Sequence, residues 1–454
     1  MSYRGRVYVN AHAKIQPLLQ MSEQRSLPTL VRSVIAFLLA DGLGVIGAVL
    51  LSIVLARFRG AGELGVFSFS MAQGLLLQLF VEANFAITLP QQVARTGRII
   101  EPLRETQITK WYLALVGVPV GLVMTVFLGR VDALVPTVAA FAVMVIHSFI
   151  GSYHAVLHGL GQMSLLGRVI AGSSTLGALC GIAAIVIGVS LPLVIVFQGL
   201  GTAVPAWIWS GLLIRRWEPA WSPWRTYVTE VVRQIRKAGL RATGLRLLAI
   251  LSQRWYWIAL GFVTIGYMRF GVLLLGWVGA AAAVIGAYSA AQRFLVVLRM
   301  LPNAFFRVFL PQFSKQPEYF AVPWAVGLSL LVGVPVALVL HVTAPWLIEL
   351  TFRIQEAVPM LQVMGWAMPG VMLSHLAEAY ALTQPNYQPL VVIWAAVVLG
   401  IGFLSALWGF PLWGSIAVAF IYVGMETLYA VGVVLLILIR RARHELVGRE
   451  VVRS

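Results

Sequence analysis

The sequence predicts an all-α polytopic membrane protein with twelve transmembrane helices in two pseudo-symmetric six-helix lobes. Three observations lead to this fold class: an apolar composition, a division of the chain into about a dozen apolar stretches, and a repeat that relates its two halves. Of the 454 residues, 60% are apolar and 11% are charged, and the mean hydropathy is +0.89. A soluble domain has roughly a quarter of its residues charged, so this composition excludes one.

Each apolar stretch is near the ~20 residues that a helix needs to cross the hydrocarbon. In lipid such a stretch is helical, because its backbone polar groups must be satisfied within the segment. The predicted spans are 33–57, 65–90, 110–129, 133–158, 166–189, 192–214, 251–278, 285–310, 322–343, 358–383, 389–408 and 412–439. The predicted domains begin with a cytoplasmic N-terminal segment (1–32) and a first lobe (33–214). A basic cytoplasmic linker with an interfacial helix (215–250) leads to a second lobe (251–439), and a basic cytoplasmic tail (440–454) follows.

The net charge of +17 is distributed unevenly along the chain. With the N-terminus placed in the cytoplasm, the cytoplasmic segments hold 25 of the 33 lysines and arginines, and the outer segments hold four. This bias follows the positive-inside rule and predicts that both termini are cytoplasmic. Such a surface attracts the anionic headgroups of membrane lipids, so we expect no binding of nucleic acid.

The two blocks of six spans are related by an offset of 221 residues. The stretch "GVFSFS" begins at Gly65 and "GAYSAA" begins at Gly286, and both contain Gly, an aromatic residue and Ser in register. "LPQ" recurs with the same offset, at 89–91 and 310–312. A repeat that extends over a whole block predicts two six-helix bundles, as transporters with internal repeats have.

Arg269 interrupts a long apolar run, "IGYMRFGVLLL" at 265–275, and could lie either in a turn or inside a helix. The first span ends near Arg57, eight residues before Gly65, so its counterpart should end near Val278. Arg269 then lies about 13 Å inside the seventh span, at 1.5 Å per residue. The repeat therefore predicts that Arg269 is close to the middle of the bilayer.

Three more arginines of the seventh and eighth spans lie away from the cytoplasmic end of the eighth span: Arg254, Arg293 and Arg299. An arginine that faces lipid at the bilayer centre costs at least ~2.5 kcal/mol, so these side chains should face a wet cavity or an anionic partner. All four arginines are therefore candidates for a substrate cavity. The alternative for Arg269 and Arg293 is a structural ion pair with a carboxylate, and Arg254 could instead extend to the cytoplasmic interface.

Several acids and histidines also fall within the predicted spans: Asp41, Glu82, Glu378, Glu426, His147, His154 and His375. Buried ionisable groups of this kind can carry protons across a membrane. Candidates for ion coupling are Glu82, Asp41, Glu378 and His147. Glu82 stands out because its repeat counterpart is the neutral Asn303, in the span that carries two of the arginines. The alternative is that these acids pair with arginines or stabilise helix kinks.

Several classes of function lack their sequence signatures. The chain contains no Walker A sequence, no glycine-rich nucleotide loop and no HExxH-type histidine spacing. Its single cysteine, Cys180, allows no intramolecular disulfide and no cysteine cluster for a metal. Predicted outer loops such as "GVSLP" at 188–192 are too short for a catalytic domain. We therefore expect neither an enzyme nor a resident metal or cofactor.

Four stretches, taken in order, carry a resemblance to a known family. They are "ARFRGAGELGVFSFS" (56–70), "GRVIAGSSTLGAL" (167–179), "VIGAYSAAQRFLVVLRMLPNAFFRVFLPQFSK" (284–315) and "APWLIELTFRIQEAVPMLQVMGWAMPGVMLS" (344–374). Over about residues 30–440 the chain resembles the multidrug/oligosaccharidyl-lipid/polysaccharide (MOP) exporter superfamily, and within it the Wzx-type polysaccharide flippases. In this resemblance Arg293 matches a common basic residue. Arg269 matches an arginine that often precedes an acidic residue, and Gly271 stands at that acidic position.

The resemblance implies two lobes around a central cavity with alternating access. It implies a substrate made of an oligosaccharide on a polyprenyl diphosphate, such as an O-antigen or exopolysaccharide repeat unit, moved across the cytoplasmic (inner) membrane. Arginine suits this substrate, because a guanidinium forms paired charge-assisted hydrogen bonds with phosphate. Other partners that this interpretation allows are membrane lipids, a proton or sodium ion, and a polysaccharide polymerase complex.

Two other functions are open from the sequence. A multidrug or metabolite exporter of the same superfamily would share the fold, although cationic drugs favour an acidic cavity over an arginine-rich one. A membrane glycosyltransferase, polymerase or ligase of polysaccharide synthesis would need a sizeable outer loop or catalytic acids at a membrane face. Twelve spans disfavour the related peptidoglycan-precursor flippases, which usually have fourteen.

Overall fold

The computed structural model describes the backbone over most of the chain. The described residues are 27–127, 130–217, 225–303, 305, 306, 313, 320–384 and 387–453. The side chains of 27–41, of most of 225–243 and of 443–453 lie outside the description, and so do a few side chains between 256 and 265. The second "LPQ" at 310–312 and residues 218–224 of the predicted linker therefore fall outside the described residues. For the candidate residue Asp41 and much of the rest of the linker, the backbone alone is described.

The described residues form thirteen α-helices, two short 3-10 helices and no strand. The α-helices are α1 (Leu27–Glu82), α2 (Phe85–Thr96), α3 (Ile100–Phe127), α4 (Leu134–Gly159), α5 (Met163–Ile187), α6 (Leu191–Trp217), α7 (Arg225–Trp277), α8 (Ala282–Leu298), α9 (Val322–Thr351), α10 (Ala357–Met364), α11 (Met368–Thr383), α12 (Gln388–Trp413) and α13 (Ser415–Arg453). The 3-10 helices are Val131–Ala133 and Gly365–Ala367. The predicted all-α class is thus confirmed for this part of the chain.

Ten segments of the described chain are long and apolar enough to cross a membrane, as expected for a multi-pass membrane protein. One of them, Gly42–Thr96, is 55 residues long and includes most of the predicted spans 33–57 and 65–90. Gly60, with φ 81° and ψ 177°, interrupts the helical geometry of α1 between those two spans. The predicted seventh span, 251–278, falls at the end of α7. The total of twelve spans and the side of each terminus stay predictions.

Large apolar side chains cover the outward faces of the helices. Phe127 is 91% exposed, and Trp408 is 79% exposed. Polar side chains such as Gln107 and Ser152 are fully buried instead. A soluble protein with this much exposed apolar surface would associate or aggregate. In a bilayer the same surface matches the surrounding hydrocarbon.

Contacts divide the chain into two compact units. The first comprises the described residues up to Leu51 together with Ser70–Phe262, and the second comprises Ser52–Phe69 together with the described residues from Val263 onward. The lobe boundaries predicted from the sequence stay a prediction. The segment Ser52–Phe69, which the repeat assigns to the first lobe, makes its contacts within the second unit.

Within the second unit, glycines related by the repeat make reciprocal close contacts. A Cβ atom at Gly65 would overlap the carbonyl oxygen of Ala282, and a Cβ at Gly286 would overlap the carbonyl oxygen of Ala61. Ala61 and Ala282 are themselves related by 221 residues. Only glycine permits this backbone approach at either position.

A pair of serines repeats this arrangement one helical turn further on. The hydroxyl oxygens of Ser68 and Ser289 lie 2.6 Å apart, in a hydrogen bond between residues separated by 221 positions. The offset predicted from short sequence matches is thus present in the structure as a contact between equivalent residues. A local two-fold relation between α1 and α8 explains why glycine and serine recur in both matching stretches.

Candidate functional site

Three arginines converge in the second unit, where the end of α7 packs against α8. We call Arg269, Arg293 and Arg299 the arginine cluster. Close approach of the two helices is possible because Gly271 has no side chain, and the ring of Tyr288 occupies the space where a Cβ would lie. This contact gives a physical reason for glycine at a position where the resemblance predicts an acid.

A second contact fixes the register of the two helices beside the cluster. The side-chain amide of Gln292 donates a hydrogen bond to the carbonyl oxygen of Met268 at 2.9 Å. Gln292 and Met268 each precede an arginine of the cluster. The bond therefore positions the segments that carry Arg269 and Arg293.

Arg299 is neutralised by a partner on α13. Its guanidinium donates to a carboxylate oxygen of Glu426, which is only 1% exposed, and to the hydroxyl of Tyr422 at 2.6 Å. The guanidinium also lies 5.7 Å from the centre of the Tyr422 ring. The sequence allowed these arginines to be either cavity residues or members of an ion pair. Arg299 is a member of an ion pair.

Arg269 and Arg293 differ from Arg299, because neither has an ion pair or hydrogen bond with a described residue. Arg293 is only 9% exposed, and its Nε atom is buried without a described hydrogen-bond partner. The charge of Arg269 acts on Arg293, and the charge of Arg299 acts on Arg269. Arg293 is buried and Arg269 is half-buried. Two neighbouring cations that are partly withdrawn from solvent are unfavourable unless an anion joins them. This pair is therefore ready to accept an anionic group.

Glu378 and two tyrosines lie in the same unit. The Tyr429 hydroxyl and the Glu378 carboxyl act on each other electrostatically, and the ring centres of Tyr267 and Tyr429 are 5.5 Å apart. Both Glu378 and Arg299 act electrostatically on Tyr267. The acid thus belongs to the surroundings of the cluster without forming an ion pair with a described arginine.

The other candidate residues with described side chains lie in the first unit. The Arg254 guanidinium lies 4.2 Å from the centre of the Phe85 ring and donates to the Thr88 hydroxyl at 3.3 Å. A ring nitrogen of His147 donates to the carbonyl oxygen of Gly199 at 3.2 Å. Arg254 is therefore separate from the arginine cluster, and His147 is held by α6.

Glu82 has a partner that the sequence interpretation missed. Lys110, counted among the cytoplasmic cations in the charge distribution, is fully buried in α3, with its Nζ 3.5 Å from a Glu82 carboxylate oxygen. Nζ also donates to the carbonyl oxygen of Ser148 at 2.5 Å. By the predicted spans, Glu82 lies eight residues from the inner end of one span, about 12 Å at 1.5 Å per residue, and Lys110 lies at the inner start of the next. The sequence therefore places the two residues at different depths and does not predict their contact.

The sequence indicates the other residues around the arginine cluster less clearly. Tyr422 and Glu426 are one helical turn apart, so a glutamate that faces inward implies a tyrosine beside it. Gln292 and Tyr288 look like ordinary members of an amphipathic helix, and nothing in the sequence distinguishes them. Their roles depend on which helix packs against α8.

No protein-family model matches the chain, and no curated protein matches it in sequence. Solved structures match it in fold. The lipid II flippase MurJ, in an inward closed conformation, superimposes with a TM-score of 0.61 at 12% identity, over 90% of this chain and 87% of that chain.

Two MATE transporters show the same likeness in fold. The eukaryotic MATE transporter AtDTX14 matches with a TM-score of 0.54 at 13% identity, over 91% of this chain and 99% of its own. A mutant of the Vibrio cholerae MATE transporter VcmN matches with a TM-score of 0.52 at 14% identity, over 90% of this chain and 96% of its own. The fold is therefore the one shared by MurJ and by these MATE transporters. The Wzx-type branch stays a prediction.

Proposed function

We propose that this chain is a flippase. It would carry an oligosaccharide linked to a polyprenyl diphosphate, an O-antigen or exopolysaccharide repeat unit, across the cytoplasmic (inner) membrane by alternating access. No bond of the substrate is made or broken in this process, so the chain would not be an enzyme. A polysaccharide polymerase complex that consumes the product would be its functional neighbour.

The observation that carries this proposal is the pair of arginines without a described partner. A diphosphate esterified at both ends has two negative charges at neutral pH, and Arg269 and Arg293 together provide two positive ones. Each guanidinium can form two parallel hydrogen bonds with phosphate oxygens, and such bonds are stronger between charged groups. Arg299 is already neutralised by Glu426 and is not needed for this balance.

The likeness in fold to MurJ and to MATE transporters supports movement of a substrate across a membrane, and each allows a different cargo. A MATE-like role as an exporter of cationic drugs is the second candidate. The cationic arginine cluster favours an anionic cargo, because a cation would be repelled where Arg269 and Arg293 lie together. Net export would run on an ion gradient or on removal of the product.

Purified protein in proteoliposomes would test the proposal directly. The probe is a fluorescent N-acetylglucosamine linked to a polyprenyl diphosphate, and a membrane-impermeant quencher reports its passage between leaflets. We expect rapid passage of the diphosphate probe, slower passage of the matching monophosphate probe with one charge fewer, and no transport of the cationic dye ethidium. Transport of ethidium without passage of either lipid would overturn the flippase in favour of the exporter.

A further inference from the structure

Lys110 is unusual in this chain because its charged side chain is wholly buried. Its described ionic partner is Glu82, which reaches across from α1, and its second contact is the carbonyl oxygen of Ser148 on α4. Neither contact joins the two units, since all three residues lie in the first. A buried charge of this kind is tolerated only while its partner stays charged or other acceptors replace it.

The two partners differ in their access to the surroundings. The Lys110 side chain is 0% exposed, whereas the Glu82 side chain is 13% exposed. The carboxylate is therefore the more accessible member of the pair. The ammonium group remains behind it, shielded by α3 and α4.

Buried oxygens without a described partner lie on α3 and α4, the helices that carry Lys110 and its acceptor Ser148. The side-chain oxygens Gln107 Oε1, Ser148 Oγ and Ser152 Oγ are buried without a described hydrogen-bond partner. Gln107 lies one turn before Lys110 on α3, and its amide donates to the carbonyl oxygen of Phe149 at 3.1 Å. An ammonium group can donate three hydrogen bonds. The polar lining of α3 and α4 could therefore hold Lys110 in its charged form after its carboxylate is neutralised.

Other charged or titratable groups face the pair from neighbouring helices. His154 on α4 acts electrostatically on Lys110 and on His147. From α7, Arg254 lies against the Phe85 ring, whose centre is 6.0 Å from Lys110 Nζ, and Arg254 also acts on Glu105 of α3. Glu82 is thus the acid that faces a group of bases.

We propose that the Glu82–Lys110 pair is the proton-binding site through which a pH gradient drives transport by the proposed flippase. One proton from the outer solution adds to a carboxylate oxygen of Glu82 and forms an O–H bond. Glu82 then loses its attraction for Lys110, and the ammonium group keeps its hydrogen bond to Ser148. When the site faces inward, Glu82 releases the proton and the ion pair forms again.

Gly151 provides a way to disturb this geometry without removing a titratable group. A Cβ atom there would lie 2.6 Å from the Glu82 carboxylate oxygen, closer than real contacts allow. Gly151→Ala should therefore displace the carboxylate, although alanine is the better residue for a helix. Gly424→Ala is the matched control, because nothing lies within 4 Å of a Cβ at that position.

Four variants separate a role in proton coupling from a structural role. For each one we measure the melting temperature, and then the transport rate in the proteoliposome assay with the polyprenyl-diphosphate probe. Glu82→Gln and Lys110→Met should each lower the melting temperature, because each leaves one buried charge unpaired. The double variant removes both charges and should melt close to the wild type. Glu101→Gln, an acid on α3 whose side chain is 70% exposed, is the control.

We expect an imposed pH gradient to raise the rate several-fold in the wild type and in Glu101→Gln. In the double variant and in Gly151→Ala, any remaining rate should be insensitive to the gradient. A structural ion pair predicts the opposite for the double variant, in which the fold is restored and the full response returns. That result, or a wild type without any gradient response, overturns the proposal.

A measurement on the protein alone separates this proposal from the proposed function. Infrared difference spectra of the purified wild type, recorded during acidification without substrate, should show a protonated carboxyl band that Glu82→Gln removes. If the wild type shows this band but does not move the lipid probe, the flippase assignment fails while the proton site stands. An unchanged band in Glu82→Gln refutes the proton site whatever the cargo.

Discussion

At the scale of single residues, this chain holds its buried cations in two ways. Lys110 and Arg299 each contact one carboxylate, Glu82 and Glu426 respectively. Arg269 and Arg293 have no such contact among the described residues. A paired charge is compatible with a structural role, whereas an unpaired one needs a ligand. The sequence alone could not separate the two cases, because pairing depends on which helices are neighbours.

Replacement of the unpaired arginines should abolish or strongly reduce transport. Arg269→Ala and Arg293→Ala each remove a charge-assisted hydrogen bond to phosphate, which contributes about 1.5–3 kcal/mol or roughly ten- to a hundredfold in binding. Lysine at either position should restore part of the rate, because it keeps the charge without the forked geometry. Surface polysaccharide and probe transport are the measurements. Arg216→Ala, at an exposed position, should behave as the wild type, and full activity of both cluster variants would refute the cationic site.

Loss of Glu426 should destabilise the protein more than loss of an exposed acid. Glu426→Gln leaves Arg299 buried without its counter-ion, which costs about 3–5 kcal/mol for a broken buried pair. The double variant with Arg299→Met should recover most of the melting temperature, since neither charge remains. A double-mutant cycle of thermal unfolding measures the coupling between the two. Strictly additive effects would mean that the contact does not stabilise the fold.

At the scale of helices, the repeat is the best-predicted feature of the molecule. Matching tripeptides at a common offset predicted that α1 and α8 contain equivalent segments, and Ser68 contacts Ser289 at that offset. Periodicity and apolar length also predicted most helices. They could not predict that equivalent residues touch, because a repeat specifies a symmetry operation but not the position of its axis.

The two contact glycines should respond alike to substitution. Gly65→Ala and Gly286→Ala each place a methyl group against a backbone carbonyl, which cannot move as a side-chain end can. Overpacking of this kind costs about 1–3 kcal/mol. Thermal unfolding should show a similar loss for both, whereas Gly62→Ala, with nothing within 4 Å, should show none. A large difference between the two variants would contradict the two-fold relation.

The least predictable elements lie around the arginine cluster. The resemblance places an acid at the position of Gly271, yet this glycine admits the ring of Tyr288 and so brings α7 and α8 together. Lys110 lies at the inner edge of a predicted span, where a lysine side chain usually extends to water. Its burial depends on Glu82 of the preceding helix. Both the contact at Gly271 and the burial of Lys110 depend on tertiary packing, so a local sequence pattern cannot predict them.

At the scale of the whole molecule, topology is the property that the sequence predicted most directly and that still needs a measurement. The uneven distribution of lysine and arginine predicts the side on which each loop lies. Ten segments of the described chain have the length and composition of a span. The number of spans and their orientation decide whether Arg269 lies within the bilayer or outside it.

Cysteine labelling would settle the depth of Arg269. In a Cys180→Ala background, a cysteine at 281 should react from outside with a large impermeant thiol reagent, because Ala281 is exposed in the short connection before α8. A cysteine at 269 should resist the same reagent. Equal labelling of the two would place this part of α7 outside the bilayer and contradict the topology.

The pairing of Arg299 with Glu426 also has a consequence for biogenesis. The two residues are 127 positions apart, so at ~5–20 residues per second the ribosome delivers the glutamate roughly 6–25 s after the arginine. During that interval an arginine within an inserted helix costs ~2.5–3.5 kcal/mol at the bilayer centre. The newly made helix must therefore stay in a protein-lined site, or insert into the lipid only together with the last helix. Arg299, which stabilises the finished protein through its ion pair, thus carries a free-energy cost during synthesis until Glu426 arrives.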